Sequence, residues 1–265
     1  MSGRPALDAI VFDAGGTLIR LDFEWMAEDL GAHGTRIGVE NLRLAEVQGR
    51  RAYDASSRDP AAPSAAPSAA APRVRGDVRA YFGGTLEAAG VPGAMVAQAV
   101  DRFLERERTR GLWCRPMEGA RAALDHVGAS GLRTAVVSNS DGRAEAHLAS
   151  ADMLRGVEFV VDSHLVGIEK PDPAIFAVAL ARLGTAPART LFVGDIRSVD
   201  EAGAHAAGMR FVLLDPTGDY AAPGAWHVAG MDALPAWLEA TFDVGSPTGR
   251  APSPGTNVGS KGRFP

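Results

Sequence analysis

Residues 9–18 read Ala-Ile-Val-Phe-Asp-Ala-Gly-Gly-Thr-Leu, and this stretch constrains the chain more than any other. Three apolar residues, Ile10, Val11 and Phe12, follow one another without alternation. That pattern predicts a strand buried on both faces, as in a parallel sheet covered by helices. Asp13 then stands at the strand's carboxyl end, where open α/β sheets place their ligand crevice. Gly15 and Gly16 allow close backbone approach or positive φ, and Thr17 adds a hydroxyl and an amide. From this segment alone, Asp13 could equally be a strand-ending residue that caps a helix.

A length of 265 residues accommodates one large domain or two smaller ones. With 46% hydrophobic and 22% charged residues, the composition is that of an ordinary globular protein. A net charge of −5 provides no basic surface for a polyanion, which argues against nucleic acid as a partner. The single cysteine, Cys114, excludes an internal disulfide framework and a thiolate metal cluster, and reads as a small buried hydrophobe beside Trp113. The short apolar run at the N-terminus is neither a signal peptide nor a membrane span, so no membrane partner and a cytoplasmic location are expected. Lysine occurs only at Lys170 and Lys261, which makes any chemistry that needs a lysine easy to locate.

Apolar residues recur at helical spacing over 23–33, 39–53, from Val74 onward and over 94–108, with no strand pattern between them. Residues 21–115 are therefore expected to form an all-helical insertion, interrupted at 55–72 by a flexible Ala/Pro/Ser tract. A helix is predicted over 117–127, opened by Pro116. Strands and helices alternate beyond it: strands at 132–138, 158–162, 190–193 and 210–214, helices at 141–151, 173–183 and 199–207. This alternation predicts right-handed βαβ crossovers and a Rossmann-like parallel sheet with helices on both faces. The expected organisation is a core of residues 1–20 and 116–242, a helical unit of 21–115 and a disordered tail at 243–265.

Four strand ends carry polar groups in order: Val-Phe-Asp-Ala-Gly-Gly-Thr-Leu, Val-Val-Ser-Asn, Gly-Ile-Glu-Lys-Pro-Asp-Pro-Ala-Ile-Phe and Phe-Val-Gly-Asp-Ile-Arg-Ser-Val-Asp. Together they resemble the motifs of the haloacid dehalogenase superfamily, whose aspartate-nucleophile phosphatases carry such motifs in this order. The resemblance covers about residues 8–20 and 116–214, and the helical insertion falls where that family places a C1-type cap. It implies Mg²⁺-dependent hydrolysis of a small phosphorylated metabolite. Asp13 would be the nucleophile and would bind the metal with Asp195 and the Gly15 carbonyl. Asp200 would hold the metal through water or orient its neighbours. A dianionic phosphate repels a carboxylate nucleophile, so cationic charge is needed before in-line attack. Lys170 supplies part of it. Ser138 and Thr17, with Asn139 and the Gly16 backbone, are expected at the phosphoryl oxygens.

The sequence departs from the pattern at Gly15, where most phosphatases of the superfamily have an aspartate that acts as general acid and base. Three explanations follow: a leaving group that needs little protonation, an acid supplied from elsewhere, or a different reaction. The 2-haloacid dehalogenases of the superfamily also lack that aspartate and need no metal, but a second carboxylate at Asp195 would be repulsive beside Asp13 in a metal-free site. A protein that binds a phosphorylated ligand without turnover is the other alternative. Arg36, Arg43, Arg50 and Arg51 could meet an anionic substrate, yet at helical spacing on a polar face they read as solvated. The six histidines show no metal-ligand spacing.

Overall fold

The computed structural model describes residues 3–57 and 77–244. In chain order, strand β1 (Ala9–Phe12) and strand β2 (Ile19–Leu21) precede four helices: α1 (Phe23–Ala32), α2 (Val39–Ser56), α3 (Val78–Ala88) and α4 (Gly93–Arg110). The chain returns through β3 (Trp113–Pro116), α5 (Ala120–Ala129), β4 (Arg133–Ser138), α6 (Ala144–Ser150), β5 (Val160–Asp162) and the one-turn α7 (Ser163–Val166). It ends with α8 (Pro173–Leu183), β6 (Thr190–Gly194), α9 (Ala202–Ala206), β7 (Arg210–Leu214), β8 (His227–Val228) and α10 (Leu234–Thr241).

Six strands form one parallel sheet in the order β5-β4-β1-β6-β7-β8. β1 is central, and its lack of alternation has the expected cause. Ile10 and Phe12 pack on one face with Leu124 and Val127 of α5 and Leu234 and Leu238 of α10. Ala9 and Val11 pack on the other with Ile175, Phe176 and Ala179 of α8. Truncating a residue as enclosed as Phe12 to Ala costs about 3–5 kcal/mol. The entry to α8 is set locally: Asp172 accepts a hydrogen bond from the Ala174 amide, and Pro173 occupies the first turn.

The helices of the insertion build a separate apolar cluster around Phe23, Met26, Leu42, Phe82, Val100 and Phe103. The expectation of an all-helical insertion over 21–115 fails at its two ends. Leu21 lies on β2 and residues 113–115 on β3, and these strands pair antiparallel as a ribbon. The chain leaves and re-enters the core side by side, so its backbone groups pair with each other rather than in a helical turn. Pro116 closes β3 instead of opening a helix, and α5 starts only after Gly119. Ala55 and Ser56 belong to the last turn of α2, while 58–72 lie outside the described residues, as does Val74. Asp243, the first residue of the expected disordered tail, donates its amide to the Pro5 carbonyl, 3.0 Å away, and is ordered; 245–265 lie outside the described residues. Among the described residues, no helix is long and apolar enough to cross a membrane.

Candidate active site

β1 lies between β4 and β6, and the chain builds the sheet outward from it in both directions. The crevice beyond its carboxyl end is therefore the topological switch point of the sheet. Asp13 follows β1, Ser138 ends β4 and Asp195 follows β6, so three polar groups remote in sequence meet there. They share a cavity of about 330 Å³ with Lys170 and Asp200, and the insertion contributes Tyr53, Tyr81 and neighbouring Trp113 to its walls.

The Lys170 ammonium donates to Asp13 Oδ1 at 2.6 Å and to Asp200 Oδ1 at 2.8 Å. Asp200 Oδ2 accepts from the backbone amides of Asp195 and Ile196, both at 3.0 Å. Both oxygens of Asp200 are thus engaged, which fits an orienting task. The sequence places Asn139 at the phosphoryl oxygens. Its amide instead exchanges two hydrogen bonds with the Lys170 backbone, donating at 2.9 Å and accepting at 2.8 Å, and so fixes the segment that carries the lysine.

Burial raises the Asp13 carboxyl, Lys170 opposes the rise, and Asp200 adds to it; the result is about 6. Burial also drives Asp195 well above the usual carboxylate range against the pull of Arg50. For Lys170, burial disfavours the ammonium, but Asp13 and Asp200 outweigh it and the pKa lies above its ordinary value. Burial is the main cause for both carboxyls, and the opposite charges of Lys170 and Arg50 do not fully offset it.

Asp13, Asp195 and Asp200 each offer an oxygen, and these lie within 4.8 Å of one another. Asp195 Oδ1 is buried without a hydrogen-bond partner, an arrangement that costs free energy unless something binds it. Among the described residues, the buried carboxyls Asp13, Asp195, Asp200 and nearby Glu46 have Lys170 and Arg50 as buried cationic partners, two fewer than a fully ionised set would need. An all-oxygen donor set with that deficit fits a hard divalent cation such as Mg²⁺. The Thr17 hydroxyl is buried without a hydrogen-bond partner, and Ser138 lines the cavity. Gly16 has φ +80°, and a β-carbon there would stand 2.1 Å from Asp195 Oδ2, so only glycine lets the two strand ends approach so closely.

Arg50 corrects the reading of the insertion's arginines as solvated. It is 2% exposed, donates to Glu46 at 3.0 Å and to the Leu214 carbonyl at 3.1 Å, and ion-pairs Asp195 Oδ2 at 3.3 Å. On the same helix face Glu46 accepts from the Tyr81 hydroxyl, and Asp54 accepts from the Ser198 amide and the Tyr220 hydroxyl. The residues Glu46, Arg50 and Asp54 recur every four positions, which is the one signal that marked them as a stripe. At Gly15, the space a side chain would need is held by Trp113, whose Cδ1 lies 3.0 Å from the position of a β-carbon.

A family model described as haloacid dehalogenase-like hydrolase matches residues 7–208. The chain is 32% identical over 217 residues to mouse haloacid dehalogenase-like hydrolase domain-containing protein 3, covering 81% of this chain and 84% of that protein. It is 33% identical over 136 residues to a phosphoserine phosphatase of Thermus thermophilus, covering 51% of this chain and 53% of that enzyme. In fold it is similar to a phosphatase structure from Thermococcus onnurineus, with a TM-score of 0.53 at 17% identity over 88% of this chain and 98% of the other. It is equally similar to L-2-haloacid dehalogenase from Xanthobacter autotrophicus, with a TM-score of 0.54 at 20% identity over 88% and 98%.

Proposed function

The chain belongs to the haloacid dehalogenase-like hydrolases, and on that premise we propose that it is a Mg²⁺-dependent phosphatase acting on a small phosphorylated metabolite through an aspartyl phosphate at Asp13. The observation that carries this reading is the trio of buried carboxylates with an unpartnered Asp195 oxygen, set beside the Asp13–Lys170 pair. Asp13, Asp195 and the Gly15 carbonyl would hold the cation, with Asp200 orienting them. The ion, when bound, neutralises charge on the phosphoryl group and on the nucleophile.

Lys170 holds Asp13 Oδ1 in place by its 2.6 Å hydrogen bond and draws negative charge from the reacting oxygens. An Asp13 oxygen attacks phosphorus; a P–O bond forms as the P–O bond to the leaving group breaks, and the leaving oxygen departs with the electron pair. Water then attacks phosphorus, releasing inorganic phosphate and restoring the Asp13 carboxylate. Ser138 and the Thr17 hydroxyl would donate to the phosphoryl oxygens, whereas the Gly16 amide, expected there from the sequence, is already spent on the Ile19 carbonyl 2.7 Å away. With Gly15 offering no acid, the first step favours leaving groups of low basicity, such as acyl or sugar-1-phosphates. The helical insertion serves as the cap that closes over the crevice and selects the leaving group.

The test is turnover of an activated aryl phosphate and of a panel of phosphorylated metabolites, with Mg²⁺ or with chelator, by the wild type and Asp13→Asn. Mg²⁺-dependent phosphate release abolished by Asp13→Asn is expected. Halide release from a 2-haloacid without metal would instead favour a dehalogenase, and phosphate-ligand binding without turnover a binding module.

A further inference from the structure

Beyond Asp13 and Lys170, the cavity of about 330 Å³ is walled by the rings of Tyr53, Tyr81 and Trp113 and by the aliphatic side chains of Val78, Ile196 and Val199. Tyr81 commits its hydroxyl to Glu46 at 2.5 Å, which leaves its ring as the part available to the cavity. The indole of Trp113 lies against Gly15, two residues from Asp13, so an aromatic surface stands beside the nucleophile. Among the described residues, no arginine lines the cavity, and Lys170 is its one ammonium, already shared between Asp13 and Asp200. Its remaining titratable residues are Glu107, Asp141 and His147. Glu107 accepts from the Leu112 amide, and Arg143 binds Asp141 at 2.6 Å and donates to the Glu107 carbonyl at 2.7 Å.

We propose that the site takes phosphomonoesters whose leaving group is a flat, uncharged aryl alcohol, and that it rejects leaving groups carrying a second anionic group. The inference rests on the phosphatase reading above and narrows it. Aromatic rings gain from offset or edge-to-face packing beyond the area they bury. A second phosphate or carboxylate would instead enter among carboxyls with no uncommitted cation to meet it, and its lost hydration would go uncompensated. The hydroxyls of a sugar would exchange water for apolar walls, and Asn139 is already engaged with the Lys170 backbone. A phenolate also needs a proton less than an alkoxide does, which suits a site with no acid at Gly15. As Asp13 attacks, the bond from phosphorus to the phenolic oxygen breaks, and the phenolate departs with the electron pair and takes its proton from water.

The experiment measures kcat/KM of the full-length protein with MgCl₂ on phenyl phosphate, 4-carboxyphenyl phosphate, glucose 1-phosphate and acetyl phosphate, for the wild type, Tyr53→Leu and Val78→Arg, with folding checked by circular dichroism. The wild type should prefer phenyl phosphate to its carboxylated analogue by at least about tenfold, although the carboxylated phenolate is the slightly better leaving group. It should also prefer phenyl phosphate to glucose 1-phosphate. Tyr53→Leu should lower kcat/KM on phenyl phosphate about 2- to 10-fold and spare acetyl phosphate, whose leaving group has no ring to pack. Val78→Arg, at a position 38% exposed, adds a cation to the wall and should raise the rate on 4-carboxyphenyl phosphate relative to phenyl phosphate about 2- to 5-fold. The proposal is overturned if the wild type handles the carboxylated ester or glucose 1-phosphate as well as phenyl phosphate, or if Tyr53→Leu lowers both phenyl and acetyl phosphate turnover equally. If Tyr53→Leu does not fold, Val78→Arg decides, and an unchanged ratio overturns the proposal. A wild type that hydrolyses acetyl phosphate but neither aryl ester overturns this inference alone; one that hydrolyses none of these esters defeats the phosphatase reading as well, a separable outcome.

Discussion

The indole of Trp113 stands directly against Gly15, with Cδ1 3.0 Å and Cγ 3.3 Å from where a β-carbon would lie. Trp113 is held there by Tyr81 and Phe82, whose ring centroids are 5.7 and 5.4 Å away. Position 15, where the family resemblance leads one to expect a carboxylate, is thus faced by an aromatic side chain in the space a side chain would need. A positioned general acid is worth about 10²- to 10⁴-fold in rate, but only where it fits. Gly15→Asp alone should therefore bring no gain on alkyl phosphates, and overpacking should cost about 1–3 kcal/mol of stability. Gly15→Asp combined with Trp113→Val should outperform Trp113→Val alone. Steady-state rates on an alkyl and an aryl phosphate check this; a gain from the single Gly15→Asp change would show that Trp113 yields easily.

Asp13 titrates at about 6 in the metal-free site, above its ordinary 3.8, chiefly because it is buried. A carboxyl raised in the folded state binds its proton more tightly there than in the unfolded chain. Its contribution therefore falls as pH rises from about 4 to about 6 and stays low above that. The shift corresponds to something on the order of 3 kcal/mol. Asp13→Asn removes the titration, so with chelator present its melting temperature should exceed that of the wild type increasingly from pH 4.5 to pH 7, then run parallel. Turnover should fall by about 10³-fold or more. Thermal melts of both proteins across pH check the sign; a gap that narrows as pH rises would contradict it.

The core was legible because its signals are local. β1 is buried on both faces, and its continuous apolar run says so; the polar residues that end β1, β4 and β6 converge because parallel strands share one carboxyl edge. The ribbon of β2 and β3 was not legible, since its pairing joins Leu21 to Trp113 across some ninety residues and neither strand exceeds four. β8 has two residues, too few for any period. Arg50 was misread for a physical reason: a charged stripe at four-residue spacing normally faces water, and only the tertiary fold shows that this one meets Asp195, Ser198 and Tyr220. Gly15 was legible as an absence, whereas Trp113 as its occupant required the structure.

Lys170 is the buried cation shared by Asp13 and Asp200. Removing it with Lys170→Met leaves two buried carboxylates facing each other without compensation, a change that typically costs about 3–5 kcal/mol. The loss should be smaller at pH 5 than at pH 8, because carboxyls that take up protons no longer repel. Denaturant unfolding of the metal-free variant at the two pH values measures this. Equal losses at both would mean that Lys170 stabilises by packing, for instance over the Phe192 ring 5.4 Å away, rather than by charge.

On the proposed function, Asn139 acts through Lys170. Its side chain accepts from the Lys170 amide and donates to the Lys170 carbonyl, so it fixes the backbone from which the ammonium extends to Asp13. Substituting Asn139→Ala leaves both backbone groups without their partner and loosens the lysine by a fraction of an ångström. Small misplacements of a catalytic group cost up to about 10²-fold in rate. The expected result is a kcat reduced about 10- to 100-fold with KM nearly unchanged. Asn139→Asp keeps the bond accepted from the Lys170 amide but loses the one donated to its carbonyl, and should fall between the two. A contact with substrate would raise KM in both variants, so the split between kcat and KM decides whether Asn139 binds the phosphoryl group or holds the residue that does.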